Sequence, residues 1–450
     1  MIEFLTSLFL GNPKILILGF GKEGRSTYDF FRKCFPDLLL GIADKNTSIL
    51  EDSGLLDNNI SEIFTGSNYQ NSLSNFDIII KSPGVVIENI NSNISKRITS
   101  QTDLFLQCYY KQIIGITGTK GKSTTSSLIK HFIKADNKEV LLVGNIGVPA
   151  FDMIDSIKND TIIVYELSAH QLEYLRKSPH IAVLLNVFPE HLDYFNSFAD
   201  YKKAKFNICK FQNEDNCLIV HDSLIDELET IYIDLPESVG PGRVAIETKN
   251  HNKNQKIIKI SDNVIKHNTK NPPLLGDHNL ININAALLAV AEAGVDTKVA
   301  INSLSTFKSL PHRLENIGEF GGIRFVNDSI STIPQSTIAA VEALGNVDTL
   351  ILGGFDRGLD YSELVKFLIA SKICNFIFLG KAGDRMFDIF KLTSEKNLFK
   401  VNSIENAFEI IVEKNAKGST CLLSPAAASY DQFHNFEHRG DVFRALALKL

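Results

Sequence analysis

The stretch GITGTKGKSTTSS, Gly115 to Ser127, follows the run KQII and leads into LIKHFIKA. An apolar strand, a glycine turn and a helix in that order are what a phosphate-binding loop needs. The strict form of the loop has glycine, four residues, then Gly-Lys-Ser/Thr. Here the residue five places before Gly121 is Ile116, and the earlier glycines are Gly115 and Gly118. The core formed by Gly118, Thr119, Lys120, Gly121, Lys122, Ser123 and Thr124 still carries every element of an anion cradle. Backbone N–H groups and the helix N-terminus would face the phosphates. Lys122 would neutralise their charge, and the hydroxyl of Ser123 or Thr124 would hold magnesium.

Working outward towards the C-terminus, DTIIVYELSAHQLE puts Glu166 at the end of a buried strand. A carboxylate there is costly unless it is paired or binds a metal. IAVLLNVFPEHLDYF then places Glu190, His191 and Asp193 just beyond the next strand. Both clusters fall at strand carboxyl ends, beside the phosphate loop of a doubly wound sheet. Glu166 and His191 are therefore candidate metal ligands. The segment YKKAKFNICKF holds four lysines; most read as a solvated helix face, with one able to turn towards the metal.

Towards the N-terminus, KILILGFGKEGRSTYDFFRKCF reads as a strand, glycines at 19, 21 and 24, and an amphipathic helix. A second strand ends at Asp44, which lies 20 residues after Gly24. This is the layout of a dinucleotide-type fold, so a nucleotide diphosphate is the expected ligand. FDIIIKSPGV ends a further strand in Ser82-Pro83-Gly84, again at the ligand-binding edge of the sheet.

Beyond LPHRLE, residues 310–315, strand-like runs (GIRFVND, DTLILGG, CNFIFLG, STCLLSP) alternate with helical ones (STIAAVEAL, YSELVKFLIA). The polar, strand-rich region from about 210 to 275 reads as an elaboration of the middle part, followed by a helix in GDHNLININAALLAVAEAG. The expected class is α/β with three domains: a dinucleotide-binding-like N-terminal domain over 1–101, a P-loop ATPase-like central domain over 102–309 and a Rossmann-like C-terminal domain over 310–450. A length of 450 residues agrees with three domains at about 150 residues each.

The net charge of −6 offers no basic footprint for nucleic acid. The six cysteines form no Cys-x-x-Cys pair, so neither a zinc site nor a disulfide framework is expected. The opening MIEFLTSLFLGNPK lacks a basic region and a small-residue cleavage site, so no signal peptide is expected. No apolar run reaches the roughly 18 residues of a membrane span.

The pieces GTKGKST, YELSAHQLE, LNVFPEHLDYF, YKKAKF, GDHNLININAA, LPHRLE, NDS, LGGFDRGLDY and LLSPAAASYDQFHNFEHRG run from one end of the chain to the other. In them the chain resembles the Mur ligases, ATP-dependent amide-forming enzymes of peptidoglycan assembly. Family members spell the phosphate loop Gly-Thr-x-Gly-Lys-Ser/Thr, the spelling found here. The resemblance implies a cytoplasmic, monomeric enzyme that adds glutamate to UDP-N-acetylmuramoyl-L-alanine through an acyl phosphate. Phe20, Gly21, Lys22, Glu23, Gly24, Asp44, Ser82, Pro83, Gly84, Asn145, Ser168 and His191 would bind that UDP-linked substrate rather than NAD. The loop residues 118–124, with Asn279, Arg313 and Asp328, would bind ATP. Two magnesium ions are implied, with Ser123, Glu166 and His191 as ligands. Lys205 matches the lysine that family members carry as a carbamate, which would make it a further oxygen ligand. Lys122, His191 and Lys205 would be the catalytic residues. Thr332, Arg357, Ser429 and Phe436 would hold the glutamate.

The glutamate pocket departs from the family pattern. Many members that add D-glutamate read Asp-Ser-Lys-x-Thr-Asn where this chain reads Asp328-Ser329-Ile330-Ser331-Thr332-Ile333, and Arg357 stands where some carry lysine. D-glutamate is the first expectation and L-glutamate the alternative. Glu190 also replaces the commoner aspartate without changing the charge. A nicotinamide oxidoreductase would leave the phosphate loop idle, and a non-catalytic ATP switch would not need Arg313, Asp328 and the C-terminal pocket. A folylpolyglutamate-type synthetase would share the central domain but not the first.

Overall fold

The computed structural model describes residues 1–51, 55, 60–88, 90–146, 148–192, 194–228, 256–260, 274, 277–308, 310–391 and 396–450. Asp193 and most of the stretch between 229 and 273 lie outside the described residues.

Three sheets follow one another along the chain. The first contains β1 (Ile15–Leu18), β2 (Leu40–Asp44), β3 (Ile60–Thr65), β4 (Ile78–Lys81) and β5 (Ile98–Thr99), in the order β3-β2-β1-β4-β5. The second contains β6 (Ile113–Thr117), β7 (Val140–Gly144), β8 (Ile162–Glu166), β9 (Ile181–Leu184), β10 (Cys217–His221) and β11 (Lys256–Ile260), in the order β11-β10-β9-β6-β8-β7. Every pairing in these two sheets is parallel. Parallel strands covered on both faces must be apolar throughout, and all residues of β1, β6 and β9 are buried.

The third sheet contains β12 (Glu315–Phe320), β13 (Ile323–Asn327), β14 (Thr349–Gly353), β15 (Asn375–Leu379), β16 (Asn397–Val401) and β17 (Thr420–Leu423), in the order β12-β13-β17-β14-β15-β16. Its edge pair β12–β13 is antiparallel and the rest is parallel. The α/β class and the three-sheet succession match the sequence reading. Of the 210–275 region, the described strands β10 and β11 join the central sheet.

The chain divides into two compact units, Met1–Asn268 with Leu280–Leu304, and Thr269–Asn279 with Ser305–Leu450. The first two sheets therefore share one unit. One apolar cluster runs from Leu5 and Phe31 through Phe105 and Tyr165 to Leu228. Polar bonds join the elements of the two sheets: Ser26 Oγ donates to Asp152, Gln171 Nε2 to Glu23 Oε1 at 2.6 Å, and Tyr165 on β8 to Thr102 at 3.1 Å. Among the described residues no helix is long and apolar enough to cross a membrane.

Each sheet has a strand flanked on its two sides by strands that lie on the same side of it in the chain, so that the strand order reverses there. These are β1, between β2 and β4; β6, between β9 and β8; and β17, between β13 and β14. Ligands of doubly wound sheets bind outside the carboxyl ends of the strands at such points. Most candidate residues of the sequence reading lie at or just past the carboxyl ends of β1, β2, β4, β6, β7, β8, β9, β13, β14 and β17, whereas Lys205, Asn279 and Phe436 lie on helices and Arg313 precedes β12.

Candidate active site

The phosphate loop leaves β6 at Thr117 and enters the helix Lys122–Ala135, whose N-cap is Gly121. Gly121 has φ +87°, and a Cβ there would lie 2.3 Å from Asn282 Oδ1. Asn186, just past β9, clamps the loop from the other side. Its Oδ1 accepts from Lys120 N at 2.8 Å, its Nδ2 donates to Lys120 O at 3.1 Å, and its own carbonyl accepts from Thr119 N at 2.8 Å. Lys122 Nζ folds back onto the loop, 2.8 Å from Gly118 O and 3.0 Å from Thr119 O.

Glu166, at the end of β8, is fully buried. Its Oε1 accepts from Asn145 Nδ2 at 2.7 Å and from Ser123 Oγ at 3.3 Å, while its Oε2 has no hydrogen-bond partner. An ionisable oxygen left without a partner in the interior is expensive, so the position suits a bound cation. Asn145, expected to touch the UDP-linked substrate, is here bonded to Glu166.

Lys205 lies on the helix Phe198–Lys210, which Ser197 caps through Asp200 N. It is 1% exposed, and its Nζ donates to Gly118 O at 2.8 Å above the Tyr201 ring. Burial, and then the nearby Lys122 ammonium, hold its pKa well below the ordinary lysine value. That favours the neutral amine, the form that can take up carbon dioxide. As an amine Lys205 is a donor; only as a carbamate would it offer a hard cation oxygen ligands.

His191 has φ +57° and sits in an exposed loop. Its ring packs edge-on against His170 at 5.0 Å, and its Nε2 is 3.8 Å from Glu190 Oε2. Glu190 Oε1 in turn pairs with Lys120 Nζ at 2.8 Å, which ties this loop to the phosphate loop. Burial alone would raise the Glu190 pKa, but the Lys120 bond and charge bring it below the ordinary value. Among the described residues no three His, Cys, Asp or Glu side chains form a metal-ligand cluster. Ser123 and Glu166 are thus joined directly, while His191 is linked to the loop through Glu190 and Lys120 and through the Tyr201 ring, 6.1 Å away, whose hydroxyl is 3.1 Å from Thr119 Oγ1. A magnesium site at Glu166 would add Ser123 and a carbamylated Lys205, with His191 as the further ligand that the resemblance implies.

In the first sheet Gly19 has φ +89°, and a Cβ on it would lie 2.5 Å from Val85 Cγ2. Ser82 Oγ donates to Gly19 O at 2.7 Å, so the glycine turn and the Ser82-Pro83-Gly84 loop meet. Gly21 and Lys22 are exposed beside them, while Phe20 is buried and carries the Arg25 guanidinium over its ring at 4.5 Å. The Asp44 carboxylate accepts from the backbone N–H groups of Phe20 and Asn46, so it braces the turn. Glu23 accepts from Gln171 Nε2 at 2.6 Å, and burial pushes its carboxyl up to about 7. Ser168 is the N-cap of the short helix Ala169–Leu172 in a capping box with Gln171.

The second unit has its own polar centre. Asp328, after β13, is buried, accepts from Leu314 N at 3.1 Å and Ser424 Oγ at 2.8 Å, and burial raises its pKa to about 6. Arg313 Nε is buried without a hydrogen-bond partner, as a donor awaiting an anion would be. Arg357 Nη2 donates to Thr332 O at 2.8 Å, and Phe355 N to Ala428 O at 2.8 Å, so the loops after β13, β14 and β17 converge. Ser429 is buried at this junction, and Phe436 opens the helix Phe436–Ala447. Ile330 and Ile333 are half-buried. Asn279 lies buried on the helix Asp277–Glu292.

Residues 116–290 match the model of the Mur ligase middle domain. A UDP-N-acetylmuramoylalanine–D-glutamate ligase of Clostridium tetani is 31% identical over 469 residues, covering 98% of each chain. One of Oenococcus oeni is 30% identical over 449 residues, covering 97% of each. The chain belongs to the Mur ligase family. The crystal structure of a MurF ligase from Thermotoga maritima in complex with ADP has a TM-score of 0.57 at 17% identity, with 97% of this chain and 96% of that one covered. The MurC ligase of the same organism gives 0.55 at 18%, covering 97% and 99%. These two establish the fold.

For this Mur ligase several supporting residues were not singled out from sequence. Asn186 and Tyr201 lie inside or beside recognised motifs, but only the fold places them on Lys120 and Thr119. Asn282 lies inside the GDHNLININAA piece, but only the fold sets it against Gly121. The crowding at Gly121 carries a prediction. Gly121→Ala should cost about 1–2 kcal/mol from the left-handed backbone alone, plus displacement of Asn282, and should weaken nucleotide binding. Thermal unfolding with and without ADP checks both; an unchanged midpoint in both conditions would refute it.

Proposed function

We propose that this protein joins D-glutamate to UDP-N-acetylmuramoyl-L-alanine at the expense of ATP, in the cytoplasmic assembly of peptidoglycan precursors. The observation that carries the reading is the phosphate loop with the buried, half-satisfied Glu166 bonded to its Ser123. The acceptor and the amino acid follow from the name borne by the near-full-length relatives. The proposed working form is a monomer.

A carboxylate does not acylate an amine, because oxide is not a leaving group. The alanine carboxylate of the acceptor attacks the γ-phosphorus of ATP, and ADP leaves. The glutamate amine then attacks the acyl carbon, phosphate leaves and the amide remains. The first step brings several negative charges together, so preorganised positive charge is its main requirement. Lys122 Nζ and the loop N–H groups supply it, with Gly118, Thr119, Lys120, Gly121 and Thr124 shaping the cradle. Magnesium, when bound by Ser123, Glu166, His191 and carbamylated Lys205, supplies further positive charge there. Asn279, Arg313 and Asp328 are assigned to the nucleotide. Phe20 to Gly24, Asp44, Ser82 to Gly84, Asn145, Ser168 and His191 are assigned to the UDP-linked acceptor. Thr332, Arg357, Ser429 and Phe436 are assigned to glutamate, whose side-chain carboxylate suits the Arg357 guanidinium.

L-glutamate is a second reading, favoured by one observation: Ile330 and Ile333 stand where a lysine and an asparagine would offer polar contacts. Phosphate release from the purified protein with ATP, acceptor and each glutamate enantiomer separates the two. D-glutamate is expected to give the higher kcat/KM. Turnover with L-glutamate alone would replace the first reading with the second, and no turnover with either would overturn both.

A further inference from the structure

Lys81 is the last residue of β4 and leads straight into Ser82-Pro83-Gly84. Its side chain is only 2% exposed. Its Nζ donates to Tyr194 Oη at 2.8 Å, lies 3.4 Å from Glu173 Oε2, and is 3.4 Å from the carbonyl oxygens of Ser82 and Pro83. The Tyr194 hydroxyl has one proton to give, to Glu173 Oε2 at 2.8 Å or to Val85 O at 3.1 Å. Tyr194 is three residues past His191, its ring packs against His170 at 4.3 Å, and His170 packs against His191. A buried ammonium is tolerated only where it is paired and hydrogen-bonded. Here its partners come from two sheets: the loop after β4 of the first, and the segments after β8 and β9 of the second.

We propose that Lys81 and Tyr194 form a latch that holds the Ser82–Gly84 loop in register with the His191 loop, making both positioning residues for the UDP-linked acceptor. The inference rests on the functional reading above, in which these two loops bind that acceptor. A long substrate gripped at two places gains affinity only if the two grips are spaced before it arrives. A small shift between them costs binding at both ends without touching the phosphate loop. A merely structural ion pair would instead affect stability and all substrates alike.

The test uses the full chain with Tyr194→Phe, which loses one hydroxyl, and Lys81→Met, which keeps the length of the side chain. KM is measured for acceptor, ATP and glutamate, Kd for the acceptor by calorimetry, and unfolding by heat. Both variants should raise acceptor KM and Kd by about 5- to 30-fold, within the range of ordinary coupling between sites. The KM for ATP should stay within about twofold, and the double variant should be no worse than the poorer single, as expected for a pair acting as a unit. Lys81→Arg should recover part of the loss. Equal rises in all three KM values, additive effects, or lost stability with unchanged acceptor Kd would overturn the latch. Should Lys81→Met fail to fold, Tyr194→Phe decides alone. A wild-type protein that does not bind the acceptor would overturn the functional reading and the latch with it; a wild type that binds it, beside variants that bind equally well, would overturn the latch only.

Discussion

Lys122→Met is expected to lower kcat by about 10³-fold, the upper range for removing one preorganised donor from a developing anion. The expectation rests on where the side chain is held. Gly118 O and Thr119 O both accept from Nζ, so the ammonium is already fixed at the loop before any phosphate arrives. Little reorganisation is then needed during transfer, which is why such a donor is worth more than a charge in water. Methionine keeps the packing of the stem and removes the charge. The phosphate-release assay with saturating acceptor and glutamate measures the effect, and the KM for ATP should rise with it. A kcat within tenfold of wild type would show that Lys122 does not act on the transferring group.

Arg439→Met is expected to act on stability instead, by about 3–5 kcal/mol, because several buried acceptors lose a donor at about 1–3 kcal/mol for each one left unsatisfied. Arg439 is 2% exposed, on the helix Phe436–Ala447. Its Nε donates to Ser329 Oγ at 2.9 Å, and its Nη2 to Ser329 O at 2.8 Å and Ala427 O at 3.1 Å. Its Nη1 reaches Ala428 O at 3.3 Å and Gly353 O at 3.5 Å. One guanidinium thus ties together the loops after β13, β14 and β17, where the glutamate pocket is assigned. Burial lowers its pKa to about 10, which still leaves it charged at neutral pH. Methionine would fill the space but withdraw a donor from each of these oxygens, of which Ala428 O keeps its bond from Phe355 N. At about 2–4 °C per kcal/mol for a unit of this size, the midpoint of the second unit should fall by roughly 6–20 °C, and glutamate KM should rise. The conservative variant Arg439→Lys should recover only part, because one ammonium cannot reach three loops. A midpoint within about 2 °C of wild type would refute the role.

Much of the fold was legible because parallel strands buried on both faces leave apolar runs that nothing on the surface would keep. ILIL before Gly19 and IIGIT before Gly118 each became a fully buried strand. The phosphate loop was legible in its glycines, whose backbone freedom a side chain would remove, as the φ of Gly121 bears out. Glu166 was legible as a carboxylate at the end of a buried strand, and its unpartnered Oε2 is the cost that reading anticipated. Lys205 stood out from three other lysines in its segment only through a motif; its 1% exposure could not be read from a helix carrying lysines on several faces.

Asp44 and Asn145 carry contacts that local pattern does not reveal. Both sit where the motifs put them, yet in this structure their polar atoms brace the protein itself, Asp44 the Phe20 turn and Asn145 the Glu166 carboxylate. Arg439 and Lys81 lie farther from legibility. Each is a charge that linear sequence assigns by default to the surface, and each is buried because partners from distant strands converge on it.

The sequence by itself determined the α/β class, the succession of three sheets and the phosphate loop, because hydrophobic period and glycine placement are local properties that burial and backbone sterics enforce. Only the tertiary structure decided which charges are interior and what they hold. Whether Lys205, Lys81 or Arg439 is solvated or buried depends on carbonyls and hydroxyls brought from residues far away in the chain, and no local pattern encodes that convergence.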